Sequence, residues 1–191
     1  MANALLEWIG ALSGLASVIL TVRRKIACWP VGLVSVAAYA VFFFRLKLYA
    51  DSGLQVFFFA TSLYGWWHWA RGGAANTAAR IQILQAKERL IVGALLIVTV
   101  ALVATLLSKL TDASLPLGDS LASALSVAAQ LLLMRKVFEN WVLWIAVDVL
   151  SIGIYLYKGA YVTTGLYAIF LALAISGFVA WRRALARGET I

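Results

Sequence analysis

The 191-residue sequence has few charged residues, only one cysteine and only one histidine. Charged residues make up 13% of the chain, against 64% hydrophobic residues, whereas a soluble domain usually carries about twice that charged fraction. So little charge cannot cover a water-facing surface without leaving large apolar patches. The single cysteine, Cys28, excludes an intrachain disulfide and a thiolate metal cluster. We therefore predict an integral membrane protein with one domain, residues 1–191.

The sequence also lacks the motifs of common membrane pumps and hydrolases. It has no Walker A pattern, which excludes an ATP-driven pump within this chain, and no HExxH or GxSxG motif. Every lysine lies at a predicted helix end or in a loop, which disfavours a retinal protein with a buried Schiff base. We expect no enzymatic activity, no catalytic residue, no metal and no cofactor.

Long apolar runs separated by charged residues predict seven transmembrane helices. A spanning helix needs about 20 mostly apolar residues, and strands are disfavoured because the runs do not alternate between apolar and polar residues. The predicted helices cover residues 4–22, 27–44, 53–70, 89–108, 119–134, 141–157 and 162–181. The longest polar connection, about residues 71–88, contains Gly72 and Gly73 and is expected to be a flexible loop.

The basic residues lie at the ends of the apolar runs and predict the orientation of the chain. With the N-terminus outside, the cytoplasmic segments hold 12 of the 16 lysines and arginines, and the external segments hold 4. The positive-inside rule therefore predicts an external N-terminus and a cytoplasmic C-terminus. The net charge of +8 is then a topology signal, so that we expect a lipid bilayer and no nucleic acid as a partner.

A shift of 112 residues brings rare residue types into register with themselves. Trp29 falls on Trp141, and Trp69 falls on Trp181. Further pairs are Tyr49 and Tyr161, Gly53 and Gly165, Phe58 and Phe170, Gly65 and Gly177, and Arg71 and Arg183. Matches at tryptophan, tyrosine and glycine across three helices are hard to obtain by chance, so we infer an internal repeat.

The repeat predicts two three-helix units, residues 4–70 and 119–183, joined by a linker helix, residues 89–108. Because three is odd, the linker helix is needed to give both units the same orientation in the membrane. The result is a parallel 3+1+3 repeat about an axis along the membrane normal, which is one of the repeat classes of transporters. We therefore predict a small-molecule transporter. A purely structural duplication is the alternative.

Polar side chains at membrane depth are the first candidates for a binding site. Ionisable groups inside a bilayer are costly and are functional hypotheses by default. Asp148 lies near the middle of the sixth predicted helix, and Ser151 and Tyr155 share its helix face at steps of three and seven. Tyr167 lies at the repeat position of Gln55. A helix–helix hydrogen bond is the alternative role for Asp148.

Tryptophans are the second group of candidates, since the chain has eight. Trp69 and Trp181 lie at predicted helix ends and are expected in the interfacial aromatic belt. Trp66, Trp67 and Trp144 lie slightly deeper. Their aromatic faces suit a flat cationic ring, which binds by stacking and by cation–π attraction.

A series of short motifs runs along the chain. They are LYAD (48–51), LQVFFF (54–59), YGW (64–66), RK (135–136), ENW (139–141), LW (143–144) and GAY (159–161). In this order and spacing, over about residues 5–183, they resemble the PnuC family of vitamin transporters. The resemblance implies a 3+1+3 fold similar to that of the SWEET sugar transporters. It also implies a homotrimer in the bacterial inner membrane.

The resemblance further implies facilitated diffusion of nicotinamide riboside, which a cytoplasmic kinase traps by phosphorylation. Related family members carry thiamine or riboflavin. Tryptophans and amides around a central pocket are the family's binding theme, and they carry over to Gln55, Trp66, Trp67, Gln130, Trp141 and Trp144.

Asp148 departs from the family pattern, because some nicotinamide riboside carriers have an amide at this point of the sixth helix. Nicotinamide riboside and thiamine are both aromatic cations, so a carboxylate suits either vitamin. The choice between them therefore stays open. Outside the family, the alternatives are a sugar carrier and a membrane subunit without transport activity.

Overall fold

The computed structural model describes residues 2–47, 49–71, 80–110 and 115–188, and within these ranges the chain is almost entirely helical. Its helices are α1 (Ala2–Val22), α2 (Cys28–Arg45), α3 (Tyr49–Arg71), α4 (Ala86–Leu110), α5 (Pro116–Met134), α6 (Asn140–Tyr157) and α7 (Tyr161–Ala186). The predicted all-α fold with seven helices is therefore confirmed. The loop predicted at Gly72 and Gly73 lies outside the described residues.

Among the described helices, all except α3 are long and apolar enough to cross a membrane. α3 has 23 residues, which gives it a length of about 34 Å at 1.5 Å per residue, so that it also reaches across a bilayer. It is less apolar because Gln55 and His68 lie between its charged ends, Asp51 and Arg71. In lipid, a helix satisfies its own backbone hydrogen bonds, and its polar side chains are left to find partners inside the bundle.

Six of the helices form a closed ring. Around the ring, α1 packs on α2, α2 on α3, α3 on α5, α5 on α6, α6 on α7, and α7 on α1. In the described part of the chain α4 packs on α5 alone, so that it lies outside the ring. The inward faces of the six helices surround a common centre, which is where a polar path through the bundle would run.

Helices that are 112 residues apart have matching ends. α2 and α6 each have 18 residues and both begin and end at this offset. α3 and α7 begin at Tyr49 and Tyr161, and α1 and α5 end at Val22 and Met134. The helix boundaries therefore follow the period that the sequence predicts.

The turns after α1 and α5 also have the same backbone conformation. Arg24 and Lys136 both adopt the left-handed conformation, with φ values of 58° and 59°. The amide of Arg24 donates to the carbonyl oxygen of Thr21 at 2.9 Å, and that of Lys136 donates to Leu133 at 2.8 Å. A left-handed residue with such a bond is a common way to end a helix. Each turn leads directly into the next helix of its unit.

Two tryptophan–glycine contacts fix the packing inside the two units. Trp29 packs against Gly65, and Trp141 packs against Gly177. A Cβ atom at Gly65 would lie 2.3 Å from Cη2 of Trp29, and one at Gly177 would lie 2.4 Å from Cη2 of Trp141. Only glycine leaves room for the indole rings at these two positions. Close approach at small residues is how transmembrane helices pack tightly.

We expect Gly65→Ala and Gly177→Ala to destabilise the protein by about 1–3 kcal/mol each, which is typical of overpacking. The matched controls are Gly53→Ala and Gly165→Ala, because a Cβ atom at either position meets nothing within 4 Å. Thermal unfolding of the purified protein in detergent measures the difference. Equal melting temperatures for Gly65→Ala and Gly53→Ala would show that the contact does not constrain the packing.

Candidate functional site

Four tryptophans fill the centre of the ring at the end where α2 and α6 begin, which we call the tryptophan end. Trp29, Trp69, Trp141 and Trp181 are 4%, 7%, 2% and 0% exposed. Within each unit two rings meet edge to face, Trp29 with Trp69 at 5.3 Å and Trp141 with Trp181 at 5.6 Å. Trp69 and Trp181 meet each other at 6.0 Å between the units. We call these four residues the tryptophan plug, since they close the ring at this end.

The burial of Trp69 and Trp181 shows that their predicted place in the interfacial belt is wrong. Trp29 and Trp141 occupy the space left by the glycines, and the other two rings pack on them. The indole nitrogen of Trp181 also donates to the carbonyl oxygen of Thr21 at 3.2 Å, which ties α7 to α1. Trp181 thus has a hydrogen-bond partner in the bundle, whereas the indole nitrogen of Trp69 is buried without one in the described part of the chain.

Trp141 and Trp144, which were predicted to line a binding pocket, belong to the tryptophan end. Trp141 is part of the plug, and Trp144 is partly buried and packs against the same cluster. In this conformation their rings pack against protein at the end of the ring. Their predicted contact with a substrate stays a prediction.

The predicted site residues around Asp148 lie close together on α6 and α7. Asp148 and Ser151 are buried on α6. Tyr155, further along the same helix face, stacks on Tyr167 with ring centres 5.3 Å apart and planes 22° apart. Tyr167 interacts with the side chains of Ser151 and Tyr155, and it lies within electrostatic range of Asp148. The structure therefore brings these four predicted residues together.

Asp148 has no polar partner within the described parts of the chain. It is only 5% exposed, yet its carboxyl group forms no hydrogen bond or ion pair with another described residue. Burying a charge is costly unless an opposite charge or hydrogen bonds compensate it. The site is thus suited to a ligand that brings a positive charge of its own.

A buried amide links the two units on the other side of α5. The amide nitrogen of Gln130 on α5 donates to the hydroxyl of Ser62 on α3 at 3.3 Å, and both side chains are buried. Gln55 lies seven residues before Ser62, and Trp66 lies four residues after it. These spacings place Gln55 and Trp66 on the same face of α3 as Ser62. The face forms a polar and aromatic wall next to the contact between the units.

Trp67 differs from Trp66 in its surroundings. It is rotated by about 100° around the helix from Trp66, away from the face of Ser62. Its ring lies 5.7 Å from that of Tyr64, and Cζ of Arg71 lies 5.1 Å from its ring centre. Among the described residues, these ring contacts of Trp67 lie within α3.

The ten predicted site residues thus form separate groups, with Trp67 apart from them. In the described ranges α3 and α6 do not pack on each other, so that the residues around Gln130 and the residues around Asp148 lie on either side of α5. The assignment of these residues to a binding site stays a prediction. Sequence reasoning missed the tryptophan plug, although its tryptophans and glycines all match at the 112-residue offset.

Six described helices long and apolar enough to cross a membrane define a multi-pass membrane protein. The family model described as "Nicotinamide mononucleotide transporter" matches residues 4–183. The chain therefore belongs to this family, that of the PnuC transporters. It is a membrane transporter and not an enzyme.

Curated relatives include transporters of two vitamins. The nicotinamide riboside transporter PnuC of Escherichia coli (strain K12) is 30% identical over 201 residues, which cover 92% of this chain and 84% of the relative. The riboflavin/roseoflavin transporter RibM of Streptomyces davaonensis is 28% identical over 180 residues, which cover 92% and 83%. The family thus includes proteins with different substrates.

A solved structure shares the fold. The chain in the crystal structure of the vitamin B3 transporter PnuC superposes with a TM-score of 0.78 at 24% identity. The superposition covers 97% of this chain and 84% of that chain. At this identity the likeness supports the arrangement of the helices and leaves the binding residues to be tested.

The positions of Trp66 and Trp67 lead to opposite expectations for ligand binding. With nicotinamide riboside as the probe, we expect Trp66→Leu to weaken binding by about 1–2 kcal/mol, roughly five- to thirtyfold in Kd, because an aromatic ring on the helix face of Ser62 is lost. Trp67→Leu is the matched control and should change Kd less than threefold. Calorimetric titration of the purified protein measures both. A larger effect for Trp67→Leu would contradict the assignment of the α3 face.

Proposed function

We propose that the protein takes up nicotinamide riboside across the bacterial inner membrane by facilitated diffusion. Membership of the family supports transport of a vitamin, and the unpaired carboxyl group of Asp148 favours a vitamin that is a cation. Nicotinamide riboside carries a permanent positive charge on its aromatic ring. The tyrosine pair next to Asp148 would offer that ring a stacking surface.

Thiamine is the second candidate, because it is also an aromatic cation. Riboflavin, which the name of the Streptomyces relative suggests, has a neutral ring system and would leave the carboxyl group of Asp148 without compensation. A sugar carrier and a subunit without transport activity receive no support from the family. The carboxyl group thus favours the two cations over riboflavin, and the relatives named as nicotinamide riboside transporters favour that vitamin over thiamine.

The proposed mechanism is alternating access between two three-helix units, α1–α3 and α5–α7, about an axis along the membrane normal. The matching helix ends and turns support the repeat. In the proposed orientation the N-terminus is outside, the C-terminus is in the cytoplasm, and the tryptophan end faces the cytoplasm, as the basic residues favour. A cytoplasmic kinase would then trap the vitamin by phosphorylation.

The ten predicted residues have distinct places in this mechanism. Asp148, Ser151, Tyr155 and Tyr167 would bind the cationic ring, and the α3 face with Gln130 would form the opposite wall. Trp141 and Trp144 would border the vitamin only when the plug opens. The proposed assembly is a homotrimer, as in the family, with the exposed apolar side chains of α4 available to lipid or to a neighbouring subunit.

Uptake into proteoliposomes tests the substrate and the passive mechanism together. We expect labelled nicotinamide riboside to enter, to stop at equal inside and outside concentrations, and to be unaffected by an imposed proton gradient. Thiamine and riboflavin serve as competitors. Accumulation above the outside concentration would contradict facilitated diffusion, and competition by riboflavin alone would contradict the preference for a cation.

Replacement of one carboxyl group tests the role of Asp148. We expect Asp148→Asn to weaken nicotinamide riboside binding by about 1.5–3 kcal/mol, roughly ten- to 150-fold in Kd, since a buried charged contact becomes neutral. Asp119→Asn is the control, because Asp119 is partly exposed and pairs with Lys158 at 3.5 Å at the other end of the ring. An unchanged Kd for Asp148→Asn would make Asp148 a structural residue.

A further inference from the structure

A short extended segment before α4, residues 80–85, lies against the turn between α5 and α6, and we call it the strap. It pairs in parallel with Val137 through Gln82. The amide of Gln82 donates to the carbonyl oxygen of Lys136 at 3.0 Å, and the amide of Phe138 donates to the carbonyl oxygen of Gln82 at 2.8 Å. Two backbone hydrogen bonds thus attach the strap to the turn between α5 and α6, at the tryptophan end.

Glu139 anchors both the strap and the start of α4 to the same turn. Its carboxylate accepts hydrogen bonds from the amide of Leu84 at 3.2 and 3.1 Å. It also accepts hydrogen bonds from Nε and Nη2 of Arg89 on α4, at 3.1 and 2.9 Å. Such charge-assisted hydrogen bonds are stronger than neutral ones. The turn between α5 and α6 is therefore firmly held in position.

Lys136 belongs to the turn that the strap contacts. Its side chain extends from the second unit (α5–α7) to the first unit (α1–α3). Its side chain is 1% exposed, and its Nζ lies 4.9 Å from the ring centre of Trp69. Burial, and then the nearby charge of Arg24, lower the pKa of Lys136 to about 8, so that the group is mainly an ammonium ion at pH 7. A cation at this distance from an indole face is attracted to it.

The first unit has the matching cation but lacks the anchor. Arg24 occupies the repeat position of Lys136, whereas Ala27 occupies that of Glu139. Within the described residues, no backbone bridge forms at the turn between α1 and α2. The two units are thus alike in their helix packing and differ in how their turns are held at the tryptophan end.

We propose that Lys136 is a positioning residue that latches the tryptophan end closed, with the strap holding it against Trp69 of the other unit. The inference rests on the proposed alternating access, since a latch acts only on an end that opens. Opening must separate Trp69 from Trp181, and Lys136 belongs to the same unit as Trp181. The contact between Lys136 and Trp69 therefore has to break in every cycle.

Cys28 is a built-in probe of this opening. It is the only cysteine in the chain, is 3% exposed, and belongs to the same packed cluster as the tryptophan plug. Its rate of reaction with a small maleimide, measured on protein in nanodiscs without any vitamin, reports how often the plug opens. We expect Lys136→Met to react about tenfold faster than the wild type.

The control is Arg135→Met, which removes the neighbouring basic residue, whose side chain is exposed. It should react at the wild-type rate, as should Lys136→Arg, which keeps a cation for the indole face. Glu139→Gln loosens the strap and should react about threefold faster. If Lys136→Met does not fold, the Cys28 rate of Glu139→Gln tests the latch in its place.

The loss of the positive charge of Lys136, taken alone, lowers the rate at which Cys28 reacts with maleimide. Lys136 is a cation against Trp69, which belongs to the same packed cluster as Cys28, and a cation near a cysteine favours the reactive thiolate. Without opening, Lys136→Met should therefore react more slowly than the wild type. A slower or unchanged rate for folded Lys136→Met overturns the latch, whatever the rate of Glu139→Gln.

The vitamin-free assay separates this inference from the proposed function. Faster reaction of Cys28 in Lys136→Met supports the latch even if nicotinamide riboside does not bind. Conversely, binding of the vitamin to a protein whose Cys28 rates do not change supports the function and overturns the latch.

Discussion

The packing of two tryptophans onto two glycines is the constraint on which the rest of the bundle depends. In lipid, helices gain little from hydrophobic burial against one another, so that close van der Waals contact has to hold them together. Trp29 on Gly65 and Trp141 on Gly177 provide that contact at matching places in the two units. They also fix where the rings of Trp69 and Trp181 can lie, and hence where the centre of the bundle is closed.

Much of this fold could be predicted from the sequence because lipid imposes simple rules. Apolar runs of spanning length predicted the helices, and the 112-residue offset predicted which helix ends would match. The common face of Asp148 and Ser151 followed from helical spacing. The burial of Trp69 and Trp181 did not follow, because a tryptophan near a helix end has the same sequence pattern whether it faces lipid or the bundle. Only the paired glycines distinguish these environments, and their effect depends on tertiary contact.

The polar features arise where the two units differ. Asp148 corresponds to Val36, and Tyr167 corresponds to Gln55. The strap has no periodicity that predicts a helix or strand, and its contact with Glu139 joins residues 55 positions apart. No local pattern could therefore have predicted that contact. In the proposed repeat, the matching positions build the bundle, and the positions that depart from it, such as Asp148 and Tyr167, are the proposed ligand contacts.

The arrangement of contacts at the tryptophan end favours movement of each unit as a body. The contacts of Trp29 with Gly65 and of Trp141 with Gly177 lie within units, as do the two edge-to-face tryptophan pairs. Between the units, the contacts of the described residues at this end include one ring pair, one hydrogen bond from Trp181 and one cation on an indole face. In the proposed cycle, opening would break this second set and leave the first intact. A passive carrier needs such a division, because its closed and open states must differ by only a few kcal/mol if both are to be populated.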